Sequence, residues 1–134
     1  MPAKTTSFSG QKVGKTGGGF TQVYLLNDPG ALTAAVNQAR ATMPAAGQII
    51  DVRASVGVAP TGASAIWDVN KNGTTIFTTQ SARPTIPISA FASPVAVPAV
   101  KNVAAGDVLV LDCDQIGSTV AGTDGQVAVT VRHY

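Results

Sequence analysis

Residues 68–77, with the sequence DVNKNGTTIF, constrain the fold of this chain more than any other stretch. Asn72 and Gly73 at its centre both tolerate the positive φ that a type I′ turn requires. Apolar residues alternate with polar ones on either side of this pair. The combination is the strongest short-range signal for a β-hairpin, so we expect two antiparallel strands joined by a tight turn.

A calcium loop is the alternative interpretation of the same stretch. The oxygen-bearing side chains of Asp68, Asn70 and Asn72 alternate and a glycine follows them, which matches the first half of an EF-hand. Position 12 of that loop falls on Thr79, which has no carboxylate for the bidentate contact. No helical pattern brackets the loop, so the hairpin is favoured and no metal is expected.

Short alternating runs separated by turn residues make up most of the remaining chain. In residues 47–56 the apolar set is Ile50, Val52, Ala54 and Val56, and further runs cover residues 108–114 and 126–132. Eight or so such strands in a chain of 134 residues indicate one domain. The spacing predicts an antiparallel β-sandwich, with a jelly roll as the favoured type.

Three segments are less regular. Residues 20–26 are predicted to form a strand and residues 27–30 (Asn-Asp-Pro-Gly) a turn. In residues 31–43 the apolar spacing also fits a helix, and alternation favours a strand only in the second half, so residues 31–38 stay open between the two. Residues 91–100 contain Pro94 and Pro98 and are interpreted as an edge strand or a loop crossing between sheets.

The N-terminal residues 1–19 differ in composition from the rest. They are rich in Ser, Thr, Gly and Lys and end in three glycines, so we divide the chain into an arm, 1–19, and a folded module, 20–134. Lys4, Lys12 and Lys15 precede the first acidic residue, Asp28, while the remaining residues carry six basic and seven acidic side chains, so the net positive charge of the chain resides in the arm. Such an arm is either a solvated terminus or a segment that lies on an acidic surface. It has no arginine and the module no basic stripe, so nucleic acid is not an expected partner.

Few residues are available for catalysis or metal binding. The chain has no Glu and a single His, His133, next to its C-terminus. Cys113 is predicted to be a buried, unreactive thiol, because its neighbours Asp112 and Asp114 would raise its pKa. Together with Asp124 these two carboxylates could hold a hard cation, although a solvated strand face explains them more simply. We expect no enzyme activity and no cofactor.

Membrane association and export are also not expected. No run approaches the eighteen or so apolar residues of a membrane span, and the N-terminus lacks the apolar core of a signal peptide. A chain synthesised without export is therefore the default.

Two aromatic residues are candidates for sugar stacking. Trp67 lies in the middle of a predicted strand beside Val69, and Tyr24 lies in the first predicted strand. Large aromatic side chains supply much of the burial in a small sandwich, so the core is the favoured place for Trp67.

Several turns and strands occur in an order that resembles the jelly-roll module found in virion proteins of tailed bacteriophages. The resemblance covers residues from about 40 to 132 and rests on these segments: VRASVG (52–57), APTGAS (59–64), DVNKNGTTIF (68–77), RPTI (83–86), AGDVL (105–109) and DCDQIGST (112–119). Cys113 stands where the pattern implies an apolar residue. The resemblance implies a surface-exposed structural protein, usually a homotrimer.

Such modules decorate capsids or form joints and knobs in tail fibres. One module with no shaft favours a trimeric decoration protein on the head surface, made in the host cytoplasm, whose partners are the major capsid protein and its own copies. The expected contacts lie in the arm, at Lys4, Phe8, Lys12, Val13 and Lys15. The alternative is a tail module that recognises host glycans through Tyr24 and Trp67.

Overall fold

The computed structural model of the protein describes residues 19–134, and this part of the chain contains β-strands and one short 3-10 turn at Gln80–Ala82 but no α-helix. The strands are β1 Phe20–Ala31, β2 Ala35–Thr42, β3 Gly47–Ser55, β4 Ala65–Lys71, β5 Thr74–Thr75, β6 Thr85–Ile86, β7 Asn102–Val103, β8 Val108–Gln115 and β9 Thr123–His133. No helix long and apolar enough to span a membrane occurs among the described residues. The predicted all-β fold is confirmed.

The strands form two antiparallel sheets. One has the order β1-β9-β3-β7, and the other has the order β2-β8-β4-β5, with β6 also paired to β4. The pairing is nested along the chain, because β1 pairs with β9, β2 with β8, β3 with β7, and β4 with β5. The innermost of these pairs is the hairpin predicted from the sequence. Its turn residues Asn72 and Gly73 have φ of 51° and 89°, as a type I′ turn requires.

Side chains from both sheets meet in one hydrophobic core, which makes the fold sandwich-like. Three strands in the predicted runs place every second residue inside it: Ala65, Trp67 and Val69 from β4, Leu109, Leu111 and Cys113 from β8, and Val127, Val129 and Val131 from β9. Each large apolar side chain buried in this way contributes roughly 1.5–3 kcal/mol relative to an exposed one.

The predicted turn at residues 27–30 is wrong, since β1 continues through it to Ala31. Its pairing with β9 is interrupted between Asp28 and Ala31, where Pro29 offers no N–H to the ladder and Gly30 has a φ of +78°. The turn-forming residues therefore produce a bulge within a long strand.

A second bulge corrects the predicted inner face of β3. Ile49 pairs with Val131 and Asp51 with Thr130, so Ile50 is the extra residue and points outward, 47% exposed. Ile49 takes the core position instead. Val52, Ala54 and Val56 are buried as predicted.

Residues 31–38 are not helical. Strand β2 begins at Ala35 and pairs with β8, with an irregularity between Ala35 and Ala39 where Asn37 has a φ of 57°. The strand predicted for the second half of residues 31–43 is confirmed, and the helical spacing of its apolar residues had no structural consequence.

Candidate functional site

The residues expected to bind the capsid cannot be placed. Lys4, Phe8, Lys12, Val13 and Lys15 all lie outside the described residues 19–134. What the structure does describe is the point at which the arm joins the module. Gly19 lies so close to the end of β9 that a Cβ there would be 2.2 Å from the carbonyl oxygen of His133. Only glycine permits this approach, because a side chain at position 19 would collide with the backbone of β9.

His133 is fully buried and holds this junction in place. Its Nδ1 lies 2.9 Å from the carbonyl oxygen of Ala45, and its Nε2 lies 2.7 Å from the hydroxyl of Tyr24. A carbonyl only accepts, so Nδ1 carries the proton; in the neutral ring Nε2 then accepts the Tyr24 hydroxyl proton. The ring of Phe20 packs on the same imidazole, with centroids 4.8 Å apart. Strand β9 is thereby tied to β1 and to residues 45–46.

Tyr24 is half-buried as well as hydrogen-bonded, and burial raises the pKa of its phenol. Its hydroxyl proton is used by His133. The residue therefore acts as a structural link between β1 and β9.

Trp67 is a core residue with no exposed surface, as the sequence favoured. Its indole Nε1 donates to the Asp28 carboxylate at 3.2 Å. The indole also packs against the backbone of Gly125, where a Cβ would come within 2.7 Å of the ring. A glycan could not stack on this ring in the folded module.

Trp67 and Tyr24 do not share a rim. The indole packs at Gly125, near the beginning of β9, whereas the Tyr24 hydroxyl reaches His133 at its end. Eight residues of strand separate these positions, or about 26 Å at 3.3 Å per residue. The two residues proposed to contact a glycan thus do not form one aromatic platform.

The polar residues of the hairpin are engaged inside the protein. Asp68 accepts from the Thr75 hydroxyl at 2.6 Å, and Asn70 donates to Asp112 at 2.6 Å. Asn72 donates to Asp107 and accepts from the backbone of Val108, both at 2.9 Å. In the part of the chain that the structure describes, no group of three metal-ligating side chains comes together.

The three aspartates considered for a cation site are dispersed as well. Asp112 receives the Asn70 amide, Asp114 forms an ion pair with Arg83 at 2.7 Å, and Asp124 accepts from the backbone N–H of Gly30 at 2.7 Å. Asp112 and Asp114 lie on the β2-containing sheet, whereas Asp124 lies beside the β1 bulge in the other sheet. These carboxylates stabilise turns and edges.

Cys113 is buried as predicted, and burial raises the pKa of its thiol to about 12, with Asp28 and Asp114 adding to the effect. At neutral pH it is a thiol with almost no thiolate, and thus a poor nucleophile.

Besides Asp68, which is 7% exposed, two polar residues in the interior were missed by sequence reasoning. Asp28 is 3% exposed and His133 is fully buried. Strand phase could have found both, because Asp28 follows Tyr24 and Leu26 at a spacing of two, and His133 continues the buried series that ends at Val131.

No protein-family model matches the chain, and no curated protein or solved structure is significantly similar to it.

Proposed function

We propose that this protein is a non-enzymatic structural component of a tailed-bacteriophage virion. In this proposal it is a trimeric decoration protein that binds the outer surface of the head through its N-terminal arm and stabilises the shell. The observation that carries the proposal is the nested strand pairing, which agrees with the order of turns from which the phage resemblance was drawn.

The nested pairing supports a jelly-roll topology. Four pairs of strands enclose one another along the chain, with the turn at Asn72 and Gly73 innermost, as in a long hairpin rolled up on itself. Rolling distributes the pairs alternately between two sheets, which gives β1-β9-β3-β7 facing β2-β8-β4-β5. Two sheets of four main strands with this connectivity fit the jelly-roll architecture.

The arm supplies the attachment. Its three lysines would be attracted to an acidic capsid surface, and burial of Phe8 or Val13 would add apolar contact. Because Gly19 lies against His133, and His133 is tied to Tyr24 and Ala45, a bound arm would be joined to a firmly held point of the module. In a trimer three arms would act together, so weak individual contacts would give strong attachment.

The test is binding to heads of the phage that encodes the chain, assembled without it. Co-sedimentation should show saturable binding that is lost when residues 2–19 are deleted. A variant with Lys4, Lys12 and Lys15 all changed to Gln should bind at least tenfold more weakly, whereas the control Lys101→Gln, in the module, should bind like the wild type. The difference between the two should shrink in 1 M salt, where the Debye length falls to about 3 Å.

A glycan array measured in parallel addresses the tail-module alternative. No described feature favours that function, since Trp67 is buried and the Tyr24 hydroxyl is occupied. Specific glycan binding in the absence of head binding would contradict the decoration function.

A further inference from the structure

Residues 84–100 form a flank of the module that contains no charged residue. We call this segment the neutral flank. It leaves β6 and runs along the free side of β3, where Phe91 O accepts from Val56 N at 2.9 Å and Ala96 exchanges two backbone hydrogen bonds of 2.8 Å with Val52. It thus covers one edge of the β1-containing sheet.

The neutral flank exposes several large apolar side chains. Ile88, Phe91, Val95 and Val97 are 53%, 59%, 47% and 49% exposed. Single exposed apolar residues are normal on a soluble protein, but a concentration of them on an uncharged surface marks an interaction site. Interface cores are likewise depleted in charge.

The flank also borders a groove of about 480 Å³. Most of the residues that line it are apolar: Ala82, Pro87, Pro94, Val95, Ala96 and Val97. The one charged residue lining it, Arg83, is neutralised by Asp114 at 2.7 Å. The groove therefore presents an apolar surface to an incoming side chain.

A partner would not bind this edge by adding a strand to the sheet. Pro94 and Pro98 lack the N–H groups that an added strand would need, and prolines on an edge prevent such pairing. Contact must therefore be made through side chains.

We propose that copies of this chain associate head to tail through the neutral flank, with Phe91 of one copy entering the groove of the next. The projecting Phe91 is not part of the groove lining, so each copy offers both a projection and a recess at different positions. A contact between two different patches of identical chains is heterologous, and such contacts close into rings when the rotation permits. Another copy of the chain also brings an equally uncharged surface, so no charge is buried without a partner.

This inference rests on the trimer of the proposed function and names the surface that forms it. It assigns separate tasks to two parts of the protein, since the neutral flank joins copies to each other and the basic arm joins them to the shell.

The test measures mass in solution by light scattering during size-exclusion chromatography. The wild type should be a trimer, whereas Phe91→Asp and the double variant Val95→Asp/Val97→Asp should each be monomers. Val36→Asp is the matched control, because Val36 is 66% exposed on β2, in the other sheet, and this variant should remain trimeric. Far-ultraviolet circular dichroism should be similar for all variants, and the monomeric variants should still unfold cooperatively in urea, although at lower denaturant than the trimers because association stabilises the folded state. This shows that the monomers are folded.

A mixing experiment then tests the head-to-tail arrangement. Phe91→Asp keeps an intact groove and the double variant keeps Phe91, so an equimolar mixture at concentrations well above those that give wild-type trimers should form one-to-one dimers. Failure to form them would overturn the arrangement of projection and groove. A monomeric wild type, or trimeric flank variants, would overturn the whole inference, while binding to heads through the arm would still be decided by its own experiment.

Discussion

Tyr24 and His133 show how single residues fix the end of the module where the arm begins. Removing the hydroxyl with Tyr24→Phe leaves the buried Nε2 of His133 without its partner. An unsatisfied buried polar group costs about 1–3 kcal/mol, so we expect the free energy of unfolding to fall by that amount in urea denaturation. The control is Tyr134→Phe at a residue 71% exposed, which should have no measurable effect. Equal stability of the two variants would contradict the assigned role of the hydrogen bond.

Asp28 gives a prediction about how the stability of the protein depends on pH. Its pKa is raised chiefly by burial, and the hydrogen bond from Trp67 offsets only part of this effect. The folded state therefore binds the proton more tightly than the unfolded state, and its contribution to stability falls as pH rises from the ordinary Asp range through the raised pKa.

The variant Asp28→Asn removes this dependence, while its amide oxygen can still accept from the indole. The difference in free energy of unfolding, variant minus wild type, should become more positive between pH 4 and pH 7. Urea denaturation at both pH values measures it, and a difference that is constant or decreases with pH would show that the buried carboxyl is not disfavoured in its charged form.

At the scale of elements, the hairpin turn makes the most specific demand on the sequence. Gly73 has a φ of +89°, and no atom lies within 4 Å of the position that a Cβ would occupy, so only backbone strain opposes a side chain there. Gly73→Ala should lower stability by roughly 1–2 kcal/mol in urea denaturation, the cost of a left-handed conformation for an L-residue.

Gly57 provides the matched control for this turn. Its φ lies outside the left-handed region, and an added Cβ would make ordinary contacts of 3.4 Å and longer. Gly57→Ala should be neutral or stabilising by up to about 1 kcal/mol, because it restricts the unfolded chain. A stability loss at Gly57 equal to that at Gly73 would show that the turn is not the source of the effect.

The strands also show what could be predicted from the sequence. Alternation identified β4, β8 and β9 and their inward residues, because a strand buried on one face repeats every two residues. It failed at Ile50, where a bulge changes the phase, and at residues 27–30, where a bulge was predicted as a turn. A bulge depends on how a strand pairs with its partner, which in both cases is β9, more than seventy residues away, and no local pattern reports that.

For the whole molecule, the turns and the apolar periods indicated an all-β fold, but the nested order of pairs became visible only when distant strands were brought together. The proposed attachment site was derived from the composition of the arm and from the phage resemblance, and its residues precede the described module. The neutral flank could have been noticed as seventeen residues without charge. Its groove depends on contacts between residues 81–87 and 94–97, which the sequence does not reveal.

We propose that the protein stabilises a phage head by binding to its exterior. The most direct measurement is the temperature at which heads assembled without the protein rupture and release their DNA. Saturating wild-type protein should raise this temperature by several degrees, and the variant with Lys4, Lys12 and Lys15 changed to Gln should raise it less at the same concentration. An unchanged rupture temperature at saturating wild-type protein would contradict the account.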